Sequence, residues 1–398
     1  MRVFIAGIDG YLGWSLAQHL ATRGHTVGGC DNGSRRRWVK EVSGQSITPI
    51  TQPDERIAGF QRKHGEIYWT DADMLDYGDT VLNLEMFKPD AVVYFAECPS
   101  APFSMIDAHH ATEVQHNNVI GGLNMLWAMK EVCPNTHLVK LGTMGEYGTG
   151  NLDIPEGMCE MEFRGRKDWV MFPRKAGSFY HLTKVHGTHN IDFACRTWGL
   201  RSTDIMQGVV FGTKIPEMVG EPWSLTRFDC DEIFGTAINR FCACAVIGHP
   251  ITIYGVGHQK RGFLPLKDSM QCLTLALENP PQAGEYRVFN QFEAVYDLTE
   301  LAYMVQVVAE GAGLGRIEVL NYENPRKEAE EHYYNPDRVK LLELGYQPTR
   351  DIEGEVAVML TDLAKYKDRI EQVRDVLIPQ TRWDGTKRKS RVLQAEQT

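Results

Sequence analysis

Tyr180 and Lys184 stand four residues apart in Ser178-Phe179-Tyr180-His181-Leu182-Thr183-Lys184-Val185-His186. On a helix that spacing puts both side chains on one face, one turn apart. A free phenol ionises near pH ~10, and a neighbouring ammonium favours the phenolate. Such a tyrosine can take the proton of a sugar or alcohol hydroxyl near neutral pH while hydride leaves the same carbon. By itself Tyr-x-x-x-Lys is more often just a helix face with two polar residues. The remainder of the chain has to supply the hydride acceptor and the hydroxyl partner.

The acceptor's signature lies at the start. An apolar strand over residues 2–8 runs into Gly7-Ile8-Asp9-Gly10-Tyr11-Leu12-Gly13, and an amphipathic helix continues to about Arg23. Strand, glycine turn and helix in that order let a backbone approach a pyrophosphate at a helix N-terminus. The spacing is Gly-x-x-Gly-x-x-Gly. A second strand, 26–30, ends at Asp31, which can accept from adenosine ribose hydroxyls and would repel a 2′-phosphate; that points to NAD. Asn32 and Arg35 follow, the latter in an Arg35-Arg36-Arg37 run, where one member could lie over the adenine.

Residues 32–65 read as a long polar connection. A third strand begins at Ile67 and ends at Ala72-Asp73-Met74, and Asp73 could accept from the adenine amine. The fourth strand, 91–96, ends at Phe95-Ala96-Glu97. A helix is expected over about 108–131, and a fifth strand from His137 to Thr143. The alternation predicts an α/β fold with a doubly wound parallel sheet and its ligand at the strand C-termini. Thr143 would then hydrogen-bond a reacting hydroxyl, Met144 would pack against the sugar or ring, and Glu146 could act as acid or base. Residues 149–176 read as a charged insertion, a lid or wall.

The helix carrying Tyr180 is expected over 177–197, with Phe179, Leu182, Val185 and Phe193 in the core. A sixth strand, 203–212, contains Gln207, which both cofactor and substrate could reach. Beyond it a smaller lobe begins. There Tyr254, Gln259 and Arg261, in a glycine-rich segment, suit a nucleotide base and its phosphate, and Arg326 offers a second phosphate cation. Residues 353–377 read as a terminal helix and the tail from 381 as flexible. The expected division is a dinucleotide-binding domain over 1–212, a nucleotide-sugar lobe over 213–380, parts of which could return to the sheet, and a tail over 381–398.

Composition limits the partners. The chain has 398 residues, 43% hydrophobic and 24% charged, with a net charge of −10. Acidic surface disfavours nucleic acid and anionic membranes, and no apolar run is long enough for a membrane span. Nine scattered cysteines without a Cys-x-x-Cys pair predict reduced thiols, no metal site and a cytoplasmic setting. Met1-Arg2 runs directly into the first strand, so no leader is expected.

Together, Gly7-x-x-Gly10-x-x-Gly13, Asp31, Thr143, Tyr180-x-x-x-Lys184 and the Arg261 loop resemble the extended short-chain dehydrogenases that modify nucleotide sugars. Within them the chain is similar to the sulfoquinovose synthases over nearly its whole length. The most particular stretches are Ser100–Asp107, Gln115–Gly121, Leu141–Gly148, Ser178–His181, Phe234–Phe241 and Glu328–Asn335. The resemblance implies a UDP-hexose substrate, tightly held NAD, and a homodimer. It also implies oxidation at sugar C4, loss of the C6 hydroxyl as water, sulfite addition at C6 and return of the hydride. Tyr180 and Lys184 would be the redox pair, Thr143 the hydroxyl partner, and Glu146 and His181 the dehydration acid–base groups. Ser100, Thr236 and Arg240 would join the substrate contacts.

Two departures stand out. Where the family reads Glu-Gln-Arg-Ser-Ala-Pro, this chain has Glu97-Cys98-Pro99-Ser100-Ala101-Pro102; where it reads Tyr-Leu-Asp-Ile-Arg-Asp, this chain has Phe263-Leu264-Pro265-Leu266-Lys267-Asp268. The alternatives are a 4-epimerase that does not use sulfite, a dehydratase releasing an unsaturated sugar, and, from another class, a silent NAD-binding regulator.

Overall fold

The computed structural model describes residues 1–326, 333–386 and 391–393. β1 (Arg2–Ala6) delivers the chain to Gly7. There φ is +88°, a conformation suited to a residue without Cβ. Gly13 lies in the first turn of α1 (Tyr11–Thr22). A Cβ on it would stand 2.2 Å from the Gly7 carbonyl oxygen, so the glycines close the turn against its own helix.

β2 (Thr26–Cys30), α2 (Ser34–Glu41), α3 (Pro53–His64), β3 (Tyr68–Thr70), α4 (Tyr77–Phe87) and β4 (Ala91–Tyr94) follow. The polar stretch 32–65 is therefore not a bare connection. α3 begins at a proline, carries Asp54 and Glu55 in its first turn, and ends on Arg62, Lys63 and His64. Those charges oppose the helix dipole at each end. Polarity concealed the helix because only a narrow stripe, Arg56, Gly59 and Phe60, is buried.

α5 (Ala108–Gln115) passes through a π-helical turn, His116–Ile120, into α6 (Gly121–Val132). β5 (His137–Thr143) is next. The insertion forms an antiparallel hairpin of β6 (Met158–Phe163) and β7 (Arg166–Met171), turned at Arg164 and Gly165, both at positive φ. α7 (Phe179–Trp198) is capped by the Ser178 hydroxyl, which accepts the His181 N–H at 3.2 Å. It ends at Gly199 in the left-handed region. β8 (Arg201–Gln207) then breaks at Gly208, and β9 (Val209–Phe211) leaves the sheet, where one continuous strand was expected.

The second half supplies α8 (Ala237–Ile247), β10 (Ile251–Tyr254), β11 (Lys260–Pro265), α9 (Leu266–Glu278), β12 (Tyr286–Gln291), β13 (Ala294–Asp297), α10 (Leu298–Gly311) and β14 (Val319–Tyr322). Then come α11 (Val339–Glu343), α12 (Ile352–Ala364) and α13 (Lys367–Gln372), so 353–377 is broken rather than one helix. The seven-stranded parallel sheet has the order β12-β8-β5-β4-β1-β2-β3. Its edge strand β12 comes from the second half, a return of the chain to the sheet that the sequence allowed.

β10 pairs with β14, whereas β11 pairs with β9 and β13, so the glycine-rich stretch between β10 and β11 joins two sheets and is not a hairpin tip. Helices α8, α10 and α12 bury Phe241, Cys242, Cys244, Leu301, Val305, Val356 and Met359 in a second core. The start of the tail is not loose. The Glu232 carboxylate accepts the Thr381 N–H at 3.1 Å, Trp383 N–H donates to Pro325 at 2.9 Å, and Val392 bridges to Tyr322. Among the described residues no helix is long and apolar enough to cross a membrane.

One expectation about packing fails. Phe179, Leu182 and Phe193 are 47%, 38% and 50% exposed, and Val185 is only partly buried. The buried face of α7 is instead Tyr180, Thr183, Lys184, Thr188, Ile191 and Ala194. The helix turns its polar catalytic face inward, so the apolar stripe was assigned to the wrong side. Within the Glu328–Asn335 stretch, residues 328–332 lie outside the described residues, as do Lys387, Arg388 and Lys389.

Candidate active site

A cleft opens along the C-terminal ends of β1, β2, β4, β5 and β8. Its floor is the Gly7–Gly13 turn, and Asp31, Asn32 and Arg35 stand at one end. Asp73, Met74, Phe95, Ala96 and Glu97 form a wall, with Thr143, Tyr180, Lys184 and Gln207 at the other end. Elements far apart in sequence thus bring most of the expected cofactor residues to one surface.

The Asp31 carboxylate accepts the Asp9 N–H at 3.0 Å and the Gly33 N–H at 2.8 Å. Burial, with the Asp9 charge beside it, raises its pKa to about 6. The nearby arginines are committed to other carboxylates. Asp9 receives Arg36 at 2.6 Å and Arg56 at 2.8 Å, which places Asp9 beside the cleft rather than on its lining. Asp229 receives Arg35 at 2.7 Å and Arg227 at 2.9 Å. Burial works against the Asp229 charge, but Arg227 and Arg35 outweigh it and hold the carboxyl down to about 2. Arg37 donates to the Asn32 carbonyl at 2.6 Å. Two of the three consecutive arginines are thus paired with carboxylates, and the third donates to the Asn32 carbonyl and the Ser34 hydroxyl.

A strap over residues 223–229 closes this end. Trp14 Nε1 donates to the Trp223 carbonyl at 2.9 Å, Gln18 to Ser224 at 2.9 Å, and Thr226 to the Tyr11 carbonyl at 2.8 Å. Arg227, Asp229 and Phe234 line the cleft with it, and Arg35 lies 4.0 Å over the Phe234 ring. Spacing gave no sign of these residues, because the strap lies some two hundred positions from the turn it covers.

At the catalytic end, α7 aims Tyr180 and Lys184 inward. The Lys184 ammonium donates to the Glu97 carboxylate and, at 2.6 Å, to the Leu141 carbonyl; its nitrogen is 5.8 Å from the Tyr180 ring centroid. The expected lowering of the Tyr180 pKa is not found. Burial and then the Glu97 charge push the phenol upward, with Cys98 and Glu146 adding to the effect. Asn118, in the π-helical turn, accepts the Cys98 N–H at 2.7 Å and donates to Thr183 at 2.9 Å. It clamps the Glu97-Cys98 segment to α7. The Gln115–Gly121 stretch contains this residue, but nothing in its type disclosed the role; π turns recur at functional sites.

Glu146 is not on the cleft. It is fully buried behind Thr143, where the two residues cap the turn reciprocally: Thr143 N–H donates to Glu146 at 3.3 Å, and Gly145 N–H to Thr143 Oγ1 at 3.2 Å. Around it Lys140 Nζ lies 3.8 Å from Glu146 and 3.7 Å from Asp204 and donates to the Lys184 carbonyl at 3.0 Å. Thr188 donates to Asp204 at 2.7 Å, as does Tyr286 at 2.8 Å. Burial raises the Glu146 pKa while Lys140 opposes it. This buried network sets the position of the Thr143 turn and of α7, and Glu146, expected to serve in the dehydration, is not among the residues lining the cleft.

His181 packs its ring against Gly145, and its Nδ1 lies 3.0 Å from the Ser178 hydroxyl. Burial, aided by the positive charges of Arg326, Arg261 and Lys184, holds its pKa down to about 3, so the imidazole is neutral. Arg261 and Arg326 are therefore near enough for their charges to act on His181, but neither is among the residues lining the cleft. Tyr254 is buried, with Arg240 at 4.8 Å and Arg326 at 5.8 Å over its ring, which leaves it supporting arginines rather than stacking a base.

Gln259 donates to the Tyr254 carbonyl at 3.2 Å and holds the turn. Met144 is buried in a cluster with Tyr147, Ile154 and Met206, not against the cleft. Ser100 is buried too, its hydroxyl 2.5 Å from the Ile233 carbonyl. Thr236 caps α8 at the cleft edge. Of the two departures from the family pattern, Pro99 lines the cleft. Lys267 instead pairs with Glu355, and Asp268 accepts Tyr346 at 2.8 Å; neither is among the residues lining the cleft. Among the described residues no three His, Cys, Asp or Glu side chains are grouped to hold a metal.

The glycine turn, with no room for a Cβ at Gly7 or Gly13, and the Asp31 carboxylate at the end of β2 fit a dinucleotide. Residues 3–290 match the model of the NAD dependent epimerase/dehydratase family. The chain is 48% identical to a UDP-sulfoquinovose synthase of Sulfolobus acidocaldarius, over 96% of this chain and 98% of that one. It is 44% identical to a chloroplastic UDP-sulfoquinovose synthase of Spinacia oleracea, over 99% of this chain and 81% of that one. In fold it is similar to a UDP-glucuronic acid 4-epimerase from Bacillus cereus, solved with UDP-glucuronic acid and NAD. That match has a TM-score of 0.67 and 18% identity, over 94% of this chain and 100% of that one. A UDP-glucose 4-epimerase from Thermotoga maritima, solved with UDP-glucose, superposes with a TM-score of 0.66 at 18% identity, over 92% and 99% of the chains. With a parallel dinucleotide sheet, a Thr143–Tyr180–Lys184 end to its cleft, and relatives matched over 96% and 99% of this chain, the chain is an enzyme of the NAD-dependent epimerase/dehydratase family and belongs to its sulfoquinovose synthase group.

Proposed function

We propose that this enzyme oxidises C4 of a UDP-hexose, UDP-glucose in the first place, and converts C6 to a sulfonate with sulfite. The observation that carries the reading is the convergence of Thr143, Tyr180 and Lys184 at one end of the cleft. The Gly7–Gly13 turn and Asp31 would hold NAD, which would supply the acceptor and donor of the C4 hydride. Tyr180 takes the C4 hydroxyl proton, Thr143 holds that hydroxyl, and Arg261 and Arg326 hold the diphosphate. The N-terminus of α8, with Thr236, and Arg240 behind Tyr254 support the same end of the substrate.

The sulfite step is the finer point. Pro99 supplies neither the charge nor the backbone donor that a small oxyanion needs. A specific observation thus favours a second reading, a 4-epimerase that needs only oxidation, rotation of the ketone and hydride return. The first reading is favoured by the relatives at 48% and 44% identity, both UDP-sulfoquinovose synthases, matched over 96% and 99% of this chain. Incubation with UDP-glucose, with and without sulfite, separates the two by NMR of the products. A sulfite-dependent C6 sulfonate is expected; a sulfite-independent change at C4 would overturn it in favour of epimerisation.

The cofactor reading gives its own expected result. Asp31→Ala should weaken NAD binding and narrow its advantage over NADP. In the native enzyme, NAD affinity should fall as pH drops through about 6, because the carboxylate that accepts the ribose hydroxyls becomes protonated. A calorimetric titration at two pH values checks both; unchanged affinity in the variant would exclude the role.

We also infer a homodimer in the cytoplasm. Phe179, Leu182 and Phe193 on α7, with 40%-exposed Trp127 on α6, leave an apolar two-helix face outward, which suits a second copy. All nine cysteines are free thiols, which suits a reducing compartment.

A further inference from the structure

The chain beyond its last helix is fastened beside Arg326. The Glu232 carboxylate accepts the N–H groups of Gln380 and Thr381. Trp383 N–H then donates at 2.9 Å to the carbonyl of Pro325, the residue before Arg326. Arg382, its side chain 5% exposed, pairs with Glu323 at 3.3 Å and with Asp384 at 3.2 Å. Further on, residues 391–393 form a short antiparallel partner to the end of β14: Leu393 N–H donates to Asn321 and Glu323 N–H to Arg391, both at 2.7 Å. This fastening sets an aromatic ring against a cation. The Arg326 guanidinium lies 5.3 Å from the Trp383 ring centroid and 5.8 Å from that of Tyr254. Arg240 shares the Tyr254 ring at 4.8 Å and follows Asn239, which lines the cleft edge. The Arg326 charge also reaches His181 in the first turn of α7.

We propose that Trp383 is a positioning residue: with Tyr254 it fixes the Arg326 guanidinium in the pose that receives the diphosphate of the nucleotide sugar, which makes the C-terminal tail part of the substrate-binding apparatus. This rests on the reading that Arg326 holds the diphosphate. A guanidinium is weakly hydrated and stacks on aromatic faces, so two rings can hold it without neutralising its charge. A carboxylate partner would fix the side chain too, but would cancel the charge that a diphosphate needs. An arginine left mobile loses rotamer freedom when a ligand fixes it, and rings that fix it beforehand remove that loss from binding. Trp383 is not among the residues lining the cleft, so its effect on the substrate passes through the arginine.

The test titrates UDP by calorimetry into the NAD-loaded protein; UDP carries the diphosphate, and the measurement requires no turnover. Trp383→Leu keeps apolar bulk and removes the aromatic face, whereas Trp383→Phe keeps a face. The ring is only partly buried, so both variants should fold. Trp383→Leu should bind UDP roughly 3–30-fold more weakly, the span of one cation–π contact from exposed to desolvated. Trp383→Phe should recover most of that loss, and NAD affinity should stay at the wild-type value in both. In turnover the loss should fall on KM rather than on kcat. In an Arg326→Ala background, Trp383→Leu should have no further effect on UDP. Equal losses in the two backgrounds would overturn the proposal, because Trp383 would then act by another route; so would wild-type UDP affinity in Trp383→Leu while Arg326→Ala binds weakly. Wild-type UDP affinity in Arg326→Ala would instead overturn the assignment of Arg326 to the diphosphate, and this proposal with it.

Discussion

Tyr180→Phe is expected to lower turnover by about 10²–10⁴-fold, the usual loss when one acid–base group is removed. The ring is buried with Trp38, Cys98, Phe103 and Ile233, and phenylalanine fills the same space. The fold and its thermal midpoint should therefore stay near those of the wild type. What disappears is the hydroxyl that exchanges a proton with the C4 oxygen. Lys184→Ala should be equally inactive, but less stable, since it strands the buried Glu97 carboxylate. Steady-state assays beside a melting curve separate the two effects. Near-wild-type turnover in Tyr180→Phe would remove Tyr180 from the mechanism.

The largest loss of stability is expected at a residue that never reaches the cleft. Lys140 is buried to 2% side-chain exposure between Glu146 and Asp204. Lys140→Met removes the cation between two buried carboxylates and leaves Arg174, 4.0 Å from Glu146, as the nearby positive charge. Breaking such a group typically costs about 3–5 kcal/mol. The loss should shrink at acid pH, and the sign follows from proton counting. Burial raises the Glu146 pKa in the folded protein, and removing Lys140 raises it further. The folded variant then binds more protons than the unfolded chain, so its stability increases as pH falls through that raised value. Urea unfolding at neutral and mildly acid pH measures both; an unchanged midpoint at neutral pH would show that the network carries no net stabilisation.

Much of this protein was legible in its residues. The Gly7–Gly13 turn, Asp31 after β2 and the alternation of strands and helices determine a parallel dinucleotide sheet, because each is a local demand on the backbone. Tyr180 and Lys184 were placed on one helix face by spacing alone. The direction that face points was not legible. An amphipathic pattern assigns apolar residues inward, but α7 buries Tyr180, Lys184 and Thr188 because Glu97, Leu141, Lys140 and Asp204 wait there as partners.

Only tertiary structure could decide the rest. Glu146 looked catalytic by its place after Thr143, yet the chain that follows β5 turns it into a buried cluster with residues from β8, α7 and β12. The three consecutive arginines could have served NADP, but Asp9 and Asp229 claim two of them, one from the glycine turn and one from a strap far along the chain. The charge on Lys184 was the basis for expecting an acidified phenol. Whether that charge acts depends on Glu97, eighty-seven positions away and brought alongside only when β4 and α7 pack. Spacing along one helix fixes which residues are neighbours within it; the electrostatic state of a buried group is set by whatever other elements deliver to it, and that depends on the fold.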